Sequence, residues 1–523
     1  MFAALGRFVT RFPWYVVGGW VVLAVMVISF APKLTSTSDS ASFLPKHYES
    51  IRAADIKAAD FPGQGQPGAI LVFSKPDGSK LDATDSLRVQ KVVDELGPKL
   101  DKKVFAHSSV QPASPNGLVQ IAVVDLAKDA TGFDDAAVDA AKDLRKHAKA
   151  LMTKDAPGLL LQSTGTVPQQ LDNKDSGEKA LLLVGIATVL LIVILLALIF
   201  HSVLICVLPL VVVGLLDPVA NGLIAWANEA FNLKADSSVS QILIVVLFGI
   251  GTDYILFLLF RHREALRTGM DVKDAIIDAL ERAGEAIASA GGAVIVAFMA
   301  LVLSSLSIFR SIGPALAIAV ALTLLAALTL VPALLTLFGK RLFWPSKRWG
   351  QEPEAARFAA IGRSLGKRPA VFAVASGLVL AVLAIFALSF NPTFDFTASL
   401  PKAAESTKAL TTLQKGLPAG ATDPATVMLV ANDGGQVTQG QLDQFQKDLG
   451  KPKGAAALIP GQLSANGKAG ALAIVLTKEP GSDESIANVR GPIRTAAHQA
   501  APPGTTAYVG GSTSVFVDMD KAM

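Results

Sequence analysis

Residues 239–260 read VSQILIVVLFGIGTDYILFLLF, and Asp253 is the single charged side chain in this stretch. A helix of about 20 mainly apolar residues crosses the hydrocarbon core of a bilayer. The stretch therefore predicts a membrane-spanning helix that carries one carboxylate well inside the apolar layer.

Similar apolar stretches recur along the chain and decide the fold class. The predicted spans cover residues 13–31, 179–200, 203–227, 239–260, 286–307, 312–338 and 370–390. Of the 523 residues, 51% are hydrophobic and 17% are charged, whereas soluble globular proteins have about 25% charged residues. We therefore expect an α-helical polytopic membrane protein.

Basic residues gather on one side of these spans and predict the topology. They are Arg7, Arg11, Arg261, Arg263, Arg267, Lys273, Arg282, Lys340, Arg341, Lys347, Arg348, Arg363, Lys367 and Arg368. Because Lys and Arg favour the cytoplasmic side, residues 1–31 start in the cytoplasm, 179–338 form a bundle of five spans, and 339–369 are a cytoplasmic linker. The alternative that the first span is a secretory signal is disfavoured, because the span is long and a related segment recurs.

An internal repeat divides the chain into two halves. Leu5-Gly6-Arg7, Leu44-Pro45-Lys46 and Glu49-Ser50 recur 356 residues later as Ile361-Gly362-Arg363, Leu400-Pro401-Lys402 and Glu405-Ser406. Thr164-Gly165 with Asp172 resembles Gly510-Gly511 with Asp518, 346 residues later. A constant register over a whole span and its flanks indicates two homologous halves.

The polar segments 32–178 and 391–523 are both predicted to be extracytoplasmic α+β domains. The second segment directly follows the seventh span at 370–390. Strand patterns lie at 69–73, 103–107, 118–125 and 159–163, with helices at 83–100 and 134–152. The second segment repeats them with strands at 426–431, 455–459, 471–477 and 505–509 and helices at 438–449 and 483–500. The order strand, helix, strand, strand, helix, strand is that of a split βαβ, ferredoxin-like fold.

In the first half a span soon follows Asp172, whereas the sequence stops at Met523, soon after Asp518. We therefore expect that this sequence is a fragment and that the remaining spans of the second half lie beyond it. A naturally short form is the alternative.

Asp253 and Tyr254 are the candidate proton relay. A charged side chain at the centre of a spanning helix costs about 2.5 to 3.5 kcal/mol on insertion scales, so a functional reason is expected. The carboxylate can take up and release a proton, and the phenol of Tyr254 can donate or accept a hydrogen bond. The alternative is an aspartate that serves helix packing through hydrogen bonds.

Other polar and small residues in the spans are candidates for supporting roles. Gly249 and Gly251 favour close helix packing over ligand contact. Ser289 lies in a run of small residues, where packing is favoured over a hydroxyl partner for the relay. Asp217, with Asn221 one helical turn later, either pairs with the relay and lines a water path or is solvated in the outer half of its span.

Several function classes lack support. Cys206 is the single cysteine, the six histidines show no metal-ligand spacing, and no GxxxxGK[ST] phosphate loop occurs. We therefore expect no metal, no other cofactor and no ATP hydrolysis within the chain. The net charge of +4 gives no case for nucleic-acid binding. An ion gradient is the remaining energy source.

Three motifs carry a family resemblance: Gly249-Ile250-Gly251-Thr252-Asp253-Tyr254, Phe309-Arg310-Ser311-Ile312-Gly313, and Leu330-Val331-Pro332-Ala333-Leu334-Leu335. Together with the two long polar segments, they resemble the MmpL branch of the resistance-nodulation-division (RND) transporters. The resemblance implies twelve spans, two porter domains and proton-driven export of lipids or other hydrophobic compounds. It also implies that Asp253 and Tyr254 form one half of the relay, whose other half is a similar pair on the tenth span.

The expected partners are membrane lipids, hydrophobic cargo and protons, and the sequence leaves open whether the chain forms a homo-oligomer. Two other functions compete with export by a membrane transporter, which is not an enzyme. One is a protein-translocation auxiliary of the SecDF kind, and the other is a sensor or scaffold for envelope-lipid synthesis that does not transport.

Overall fold

The computed structural model describes residues 1–32, 34, 36–37, 40–61, 67–127, 130, 132–233, 235–236, 238–345, 356–388 and 401–522. Several sequence predictions lie outside these residues: Lys347, Arg348, Leu400, the end of the seventh span at 389–390, and the start of the second polar segment at 391–400. The described chain divides into two units. Residues 1–36, 183–304 and 308–392 form the helical unit, and residues 37–182, 305–307 and 393–523 form the α+β unit.

The helices are α1 (Phe2–Arg11), α2 (Pro13–Phe30), α3 (Glu49–Asp60), α4 (Ala83–Leu96), α5 (Asp135–Asp155), α6 (Thr166–Phe200), α7 (Val203–Phe231), α8 (Val239–Arg267), α9 (Val272–Ala300), α10 (Ser307–Leu328), α11 (Leu330–Phe338), α12 (Ala356–Lys367), α13 (Pro369–Ala387), α14 (Glu405–Leu413), α15 (Gln439–Leu449), α16 (Asp483–Asn488), α17 (Arg494–Ala500) and α18 (Ser512–Ala522). The strands are β1 (Ser36–Thr37), β2 (Pro67–Ser74), β3 (Phe105–Val110), β4 (Val119–Leu126), β5 (Leu160–Thr164), β6 (Ala235–Asp236), β7 (Ala425–Ala431), β8 (Ala455–Leu463), β9 (Ala469–Leu476) and β10 (Thr505–Gly510). A π-helical turn, Val489–Ile493, joins α16 to α17.

Seven helical segments among the described residues are long and apolar enough to cross a membrane, as the sequence predicts. They are Pro13–Phe30, Thr166–Phe200, Val203–Phe231, Val239–Arg267, Val272–Leu303, Ser307–Phe343 and Pro369–Ala387. The chain is therefore a multi-pass membrane protein.

Several spans extend beyond their predicted ends. The helix α6 begins at Thr166, so the predicted boundary at residue 178 falls inside a continuous helix. The helix α9 begins at Val272 rather than at Ala286, because no proline interrupts the amphipathic segment before the fifth span. The helix α7 continues to Phe231, which makes Asp217 its central residue. The prediction that Asp217 lies nearer the outer half of its span stays a prediction, because helix length alone does not fix its depth in a membrane.

Close approaches between helices hold the helical unit together. A Cβ atom on Gly222 of α7 would lie 2.3 Å from Val27 Cγ1 of α2. The Trp20 indole on α2 donates a hydrogen bond of 3.0 Å to the Thr329 hydroxyl before α11. A Cβ atom on Gly313 of α10 would lie 2.5 Å from the carbonyl oxygen of Phe298 on α9. Small residues thus permit backbone contact where the helices cross, as is usual in membrane bundles.

The α+β unit contains two four-stranded antiparallel sheets of identical connectivity. The strand order is β3-β4-β2-β5 in the first and β8-β9-β7-β10 in the second. In both, the first strand of the half lies at the centre and the chain follows the order strand, helix, strand, strand, helix, strand, with two helices and a π-turn at the second helical position of the second half. The observed order of elements matches the order read from the sequence.

Each central strand is buried on both faces, although its own half covers one face only. In β2, Leu71 and Phe73 point into a core with α4 and α5. Ile70 and Val72 point the other way and pack against Ala409 of α14, a helix of the second half.

The second half mirrors this arrangement. Met428 of β7 packs against Ala53 of α3 and against Phe61, both from the first half. Helix α3 therefore packs on the sheet of the second half, and α14 packs on the sheet of the first half. We call this arrangement the exchange of α3 and α14, because each covers a sheet face that the other half leaves open.

Candidate functional site

Asp253 lies on an exposed face of α8. Gln241, Val245, Gly249, Asp253 and Phe257 are all exposed and recur every fourth residue, which places them on one face of the helix. Within the part of the chain that the structure describes, the Asp253 carboxylate makes no hydrogen bond or ion pair. The helical unit thus presents one carboxylate in the middle of an otherwise uncharged strip.

Tyr254 points the opposite way and is 7% exposed. A Cβ atom on Gly291 of α9 would lie 3.0 Å from its hydroxyl oxygen. The small-residue run of α9 therefore makes room for the phenol. Ser289, two residues earlier on α9, is exposed, so the structure does not bring its hydroxyl into a described contact with Tyr254.

The two glycines of the motif have different surroundings. A Cβ atom on Gly251 would lie 3.4 Å from Val213 Cγ2 of α7 and 3.4 Å from Thr323 Cγ2 of α10, so α8 packs closely at this position. A Cβ atom on Gly249 would meet no atom within 4 Å. Close packing within the described chain thus explains Gly251 and does not explain Gly249, which lies on the Asp253 face.

Asp217 forms a local pair with Asn221 on α7. The Asn221 amide donates to the Asp217 backbone carbonyl at 2.9 Å and to Asp217 Oδ1 at 3.3 Å. Pro218 removes one backbone donor from this helix, so α7 is polar and irregular at its centre. No described contact joins Asp217 to Asp253.

The sequence analysis did not single out Thr252. Its side chain is 8% exposed, and its buried hydroxyl has no hydrogen-bond partner among the described residues. Buried hydroxyls normally find a partner, so this group beside Asp253 is available to a water molecule or a proton-carrying neighbour. Its place inside the Gly249–Tyr254 motif was the available signal.

A network of charges, here named the first clasp, fastens α14 to the first half of the α+β unit. Arg145 of α5 donates to Asp172 of α6 through two nitrogens, at 2.6 and 2.9 Å. Asp172 Oδ2 accepts from the backbone N–H of Ser406 at 2.9 Å and from its hydroxyl. The Glu405 carboxylate accepts from the Ser163 hydroxyl at 2.7 Å and lies 3.3 Å from Arg145 Nε.

The second clasp repeats this pattern on α3. Arg494 of α17 donates to Asp518 of α18 at 2.8 Å and lies 3.2 Å from the Glu49 carboxylate. Asp518 Oδ2 accepts from the Ser50 backbone N–H at 2.9 Å. Glu49 Oε1 accepts from the backbone N–H of Val509 at 2.7 Å. The residues that the sequence repeat pairs, Glu49 with Glu405 and Asp172 with Asp518, therefore occupy equivalent places.

Contacts in the first clasp shift the protonation of Asp172. Burial alone would raise the pKa of Asp172, but the hydrogen bonds from Arg145 and Ser406 outweigh it and hold this pKa below its ordinary value of 3.8. The Asp172 carboxylate is therefore charged at neutral pH and forms an ion pair with Arg145. The two arginines escaped the sequence analysis because they lie at neither of the two repeat offsets.

No group of three or more metal-ligating side chains occurs in the described ranges. Charged groups gather instead in the two clasps, whereas Asp253 is a single carboxylate on its helix face. The clasps connect the halves of the α+β unit, and Asp253 is an ionisable group inside a candidate span.

Comparison with known proteins identifies the family. The model of the MMPL family matches residues 42–372 and 398–523. The chain is 29% identical over 98% of its length to the membrane protein ActII-3 of Streptomyces coelicolor, of which it covers 70%. It is 27% identical to the membrane protein SCO5905 of the same organism, of which it covers 61%.

A mycobacterial relative carries a functional name. The chain is 28% identical over 88% of its length to the sulfolipid-1 exporter MmpL8 of Mycobacterium tuberculosis, of which it covers 41%. These names describe membrane and transport proteins rather than enzymes. Because the family model matches most of the sequence, the chain belongs to the MMPL family, as the motifs in its fourth and sixth spans predict.

Proposed function

We propose that this chain is part of a secondary active exporter that moves lipids or other hydrophobic compounds across the cytoplasmic membrane and is driven by proton flow. The observation that carries the proposal is Asp253, a carboxylate on an apolar spanning helix without a described partner. The export of sulfolipid-1 by a relative supports a lipid-like cargo.

The chemistry follows from the cost of a charge in an apolar layer. A charged carboxylate at a helix centre is disfavoured by about 2.5 to 3.5 kcal/mol, so the Asp253 face packs differently when it is charged and when it is neutral. Protonation at Asp253 therefore shifts the preferred neighbours of α8. The contact of Tyr254 with Gly291 keeps α8 from rotating about its axis while Asp253 gains or loses a proton.

The α+β domains are the proposed porter domains that hold cargo. One continuous helix, α6, contains both Asp172 of the first clasp and the second span. This helix is the proposed link between the second span and the first clasp.

The first test is chemical modification of Asp253 in the natural full-length protein. Dicyclohexylcarbodiimide reacts with protonated carboxylic acids in apolar surroundings, and mass spectrometry locates the adduct. We expect an adduct at Asp253 whose yield falls as the pH rises, and no adduct at this position in Asp253→Asn. Asp217, whose carboxylate already accepts from Asn221, is the internal comparison.

The second test is transport in proteoliposomes with an imposed proton gradient. Asp253→Asn should abolish cargo export and proton uptake, and Asp253→Glu should retain part of both. Gly292→Ala is the matched control, because a Cβ atom there would meet no atom within 4 Å. Undiminished export by Asp253→Asn would refute proton-driven transport through this residue, whereas no export by the unaltered protein would favour the scaffold function.

A further inference from the structure

A pocket of about 350 Å³ opens in the α+β unit beside the second clasp. Its polar lining consists of His47, Glu49 and Arg52 from the first half and His498, Thr505, Thr506 and Tyr508 from the second half. Two alanines and the strand β10 form the rest of the wall. The volume falls within the range of about 300 to 1,000 Å³ that is usual for small-molecule sites.

The single carboxylate in the pocket is already neutralised. Glu49 Oε2 lies 3.2 Å from Arg494 Nε, and Oε1 accepts from the Val509 N–H at 2.7 Å. The His498 ring nitrogen Nε2 lies 2.8 Å from the same Oε1. Both carboxylate oxygens are therefore occupied, and Glu49 presents little free negative charge to the pocket.

Arg52 supplies a positive charge that is not used elsewhere. Its side chain is exposed, and it makes no ion pair with any of the residues for which the structure gives a position. A guanidinium group offers paired N–H donors that match the oxygens of phosphate or sulfate. His47, which is exposed and stacked on Tyr48 at 4.4 Å between ring centroids, adds a further nitrogen donor at the rim.

The charge of the pocket depends on His498. The hydrogen bond to Glu49 raises the pKa of His498 above its ordinary value of 6.5, against the opposing effects of burial and of Arg494. The ring is therefore protonated at mildly acidic pH and loses its proton as the pH rises through this raised value. The groups that face it are Glu49, Arg494, Arg52 and His47.

We propose that this pocket binds the phosphate or sulfate group of an anionic ligand, with Arg52 as the main charge and with His47 and His498 as hydrogen-bond donors at its rim. None of these three residues has a role in the proposed proton relay. The proposal therefore stands or falls independently of export through Asp253.

The test is a direct binding measurement on the full chain purified in detergent, by isothermal titration calorimetry at pH 6. Two probes separate the sources of the anion: inorganic phosphate, and dihexanoyl phosphatidic acid as a short-chain lipid with the same headgroup. Arg52→Gln should weaken binding by about tenfold or more, because a charge-assisted hydrogen bond is lost. The matched control is Arg88→Gln, which removes an equal charge from a half-exposed helix position in the same unit.

Each outcome has a stated meaning. Arg52-dependent binding of both probes assigns the pocket to the anion itself, and binding of the lipid alone assigns it to a lipid headgroup. With inorganic sulfate, whose charge is constant near neutral pH, binding should weaken as the pH rises through the raised pKa of His498, and His498→Gln should flatten this dependence. The proposal is overturned if neither probe binds, or if Arg52→Gln and Arg88→Gln change the affinity equally. Asp253→Asn should bind both probes as the unaltered protein does.

Discussion

At the scale of residues, two arginines organise the α+β unit. Arg145 and Arg494 each place a guanidinium group between an aspartate of their own half and a glutamate of the other half. Removing one partner of a buried ion pair leaves the other charge uncompensated, which costs more than the pair itself contributes. Each clasp is therefore a position where a small substitution has a large effect.

We predict that Asp172→Asn destabilises the packing of α14 by about 3 kcal/mol, because the buried Arg145 loses its closer carboxylate and keeps only that of Glu405, 3.3 Å away. Hydrogen–deuterium exchange in the peptide containing residues 405–413 should speed up accordingly. Asp139→Asn is the matched control, because Asp139 pairs with Lys142 at 3.7 Å on an exposed surface where both side chains are more than half exposed, and such pairs contribute little. Equal exchange in the two variants would contradict a structural role for the clasp.

The sequence predicts part of this site and misses the rest for a physical reason. Glu49, Ser50, Asp172 and their counterparts stand out because they keep a constant offset between the halves. The arginines do not, because insertions between helix and strand shift their offset while the folded helices still bring them to equivalent places. Contacts across several hundred residues follow from the sheet topology, which periodicity alone does not give.

At the scale of elements, the spans cross where a residue has no side chain. Gly222 on α7 faces Val27 on α2, whose β-branched side chain has one strongly preferred rotamer in a helix. The contact therefore has little room to relax. On the same helix, a Cβ atom on Gly214 would meet no atom within 4 Å.

We predict that Gly222→Ala destabilises the helical unit by about 1 to 3 kcal/mol through overpacking. Gly214→Ala should be neutral or slightly stabilising, because alanine favours the helix more than glycine does. Thermal unfolding in detergent, followed by tryptophan fluorescence, compares the two. The double variant Val27→Ala with Gly222→Ala should recover stability, and a loss as large in Gly214→Ala would show that the crossing is not the cause.

Element types follow from the sequence more reliably than element ends. Apolar length predicts every span, and short apolar runs predict the strands of both four-stranded sheets, because these signals reflect burial. The sequence indicates a helix from Val272, but its continuation into the fifth span as the single helix α9 could not be predicted in this way, since an amphipathic helix and an apolar span differ in solvent but not in backbone geometry. The outward face of Asp253 was also beyond reach, because the choice of helix face depends on tertiary neighbours.

At the scale of the whole molecule, the proposal requires one topology. The basic residues predict that the connection between α8 and α9 lies in the cytoplasm and the α+β unit on the other side of the membrane. The single cysteine makes this testable, because Cys206→Ser gives a cysteine-free background. The buried Cys206 thiol donates to the Ser202 carbonyl at 3.0 Å, an acceptor that a serine hydroxyl can also use.

We predict that Leu87→Cys, at an α4 position that is 73% exposed, reacts with a membrane-impermeant maleimide in intact cells. Lys273→Cys, at an exposed position near the start of α9, should react only after the membrane is opened. The readout is the mass shift of the labelled protein on a gel. Labelling of Lys273→Cys in intact cells would contradict this topology and would place the start of α9 outside the cell.

The exchange of α3 and α14 also determines the order in which the two halves can pack during translation. The apolar strip of Ile70, Val72 and Val119 is covered by Ala409 and Leu413, which leave the ribosome only after the spans from α6 to α13 have been made. At about 5 to 20 residues per second, the strip waits for tens of seconds. That apolar surface of the nascent first half therefore stays uncovered by its own chain until translation supplies α14.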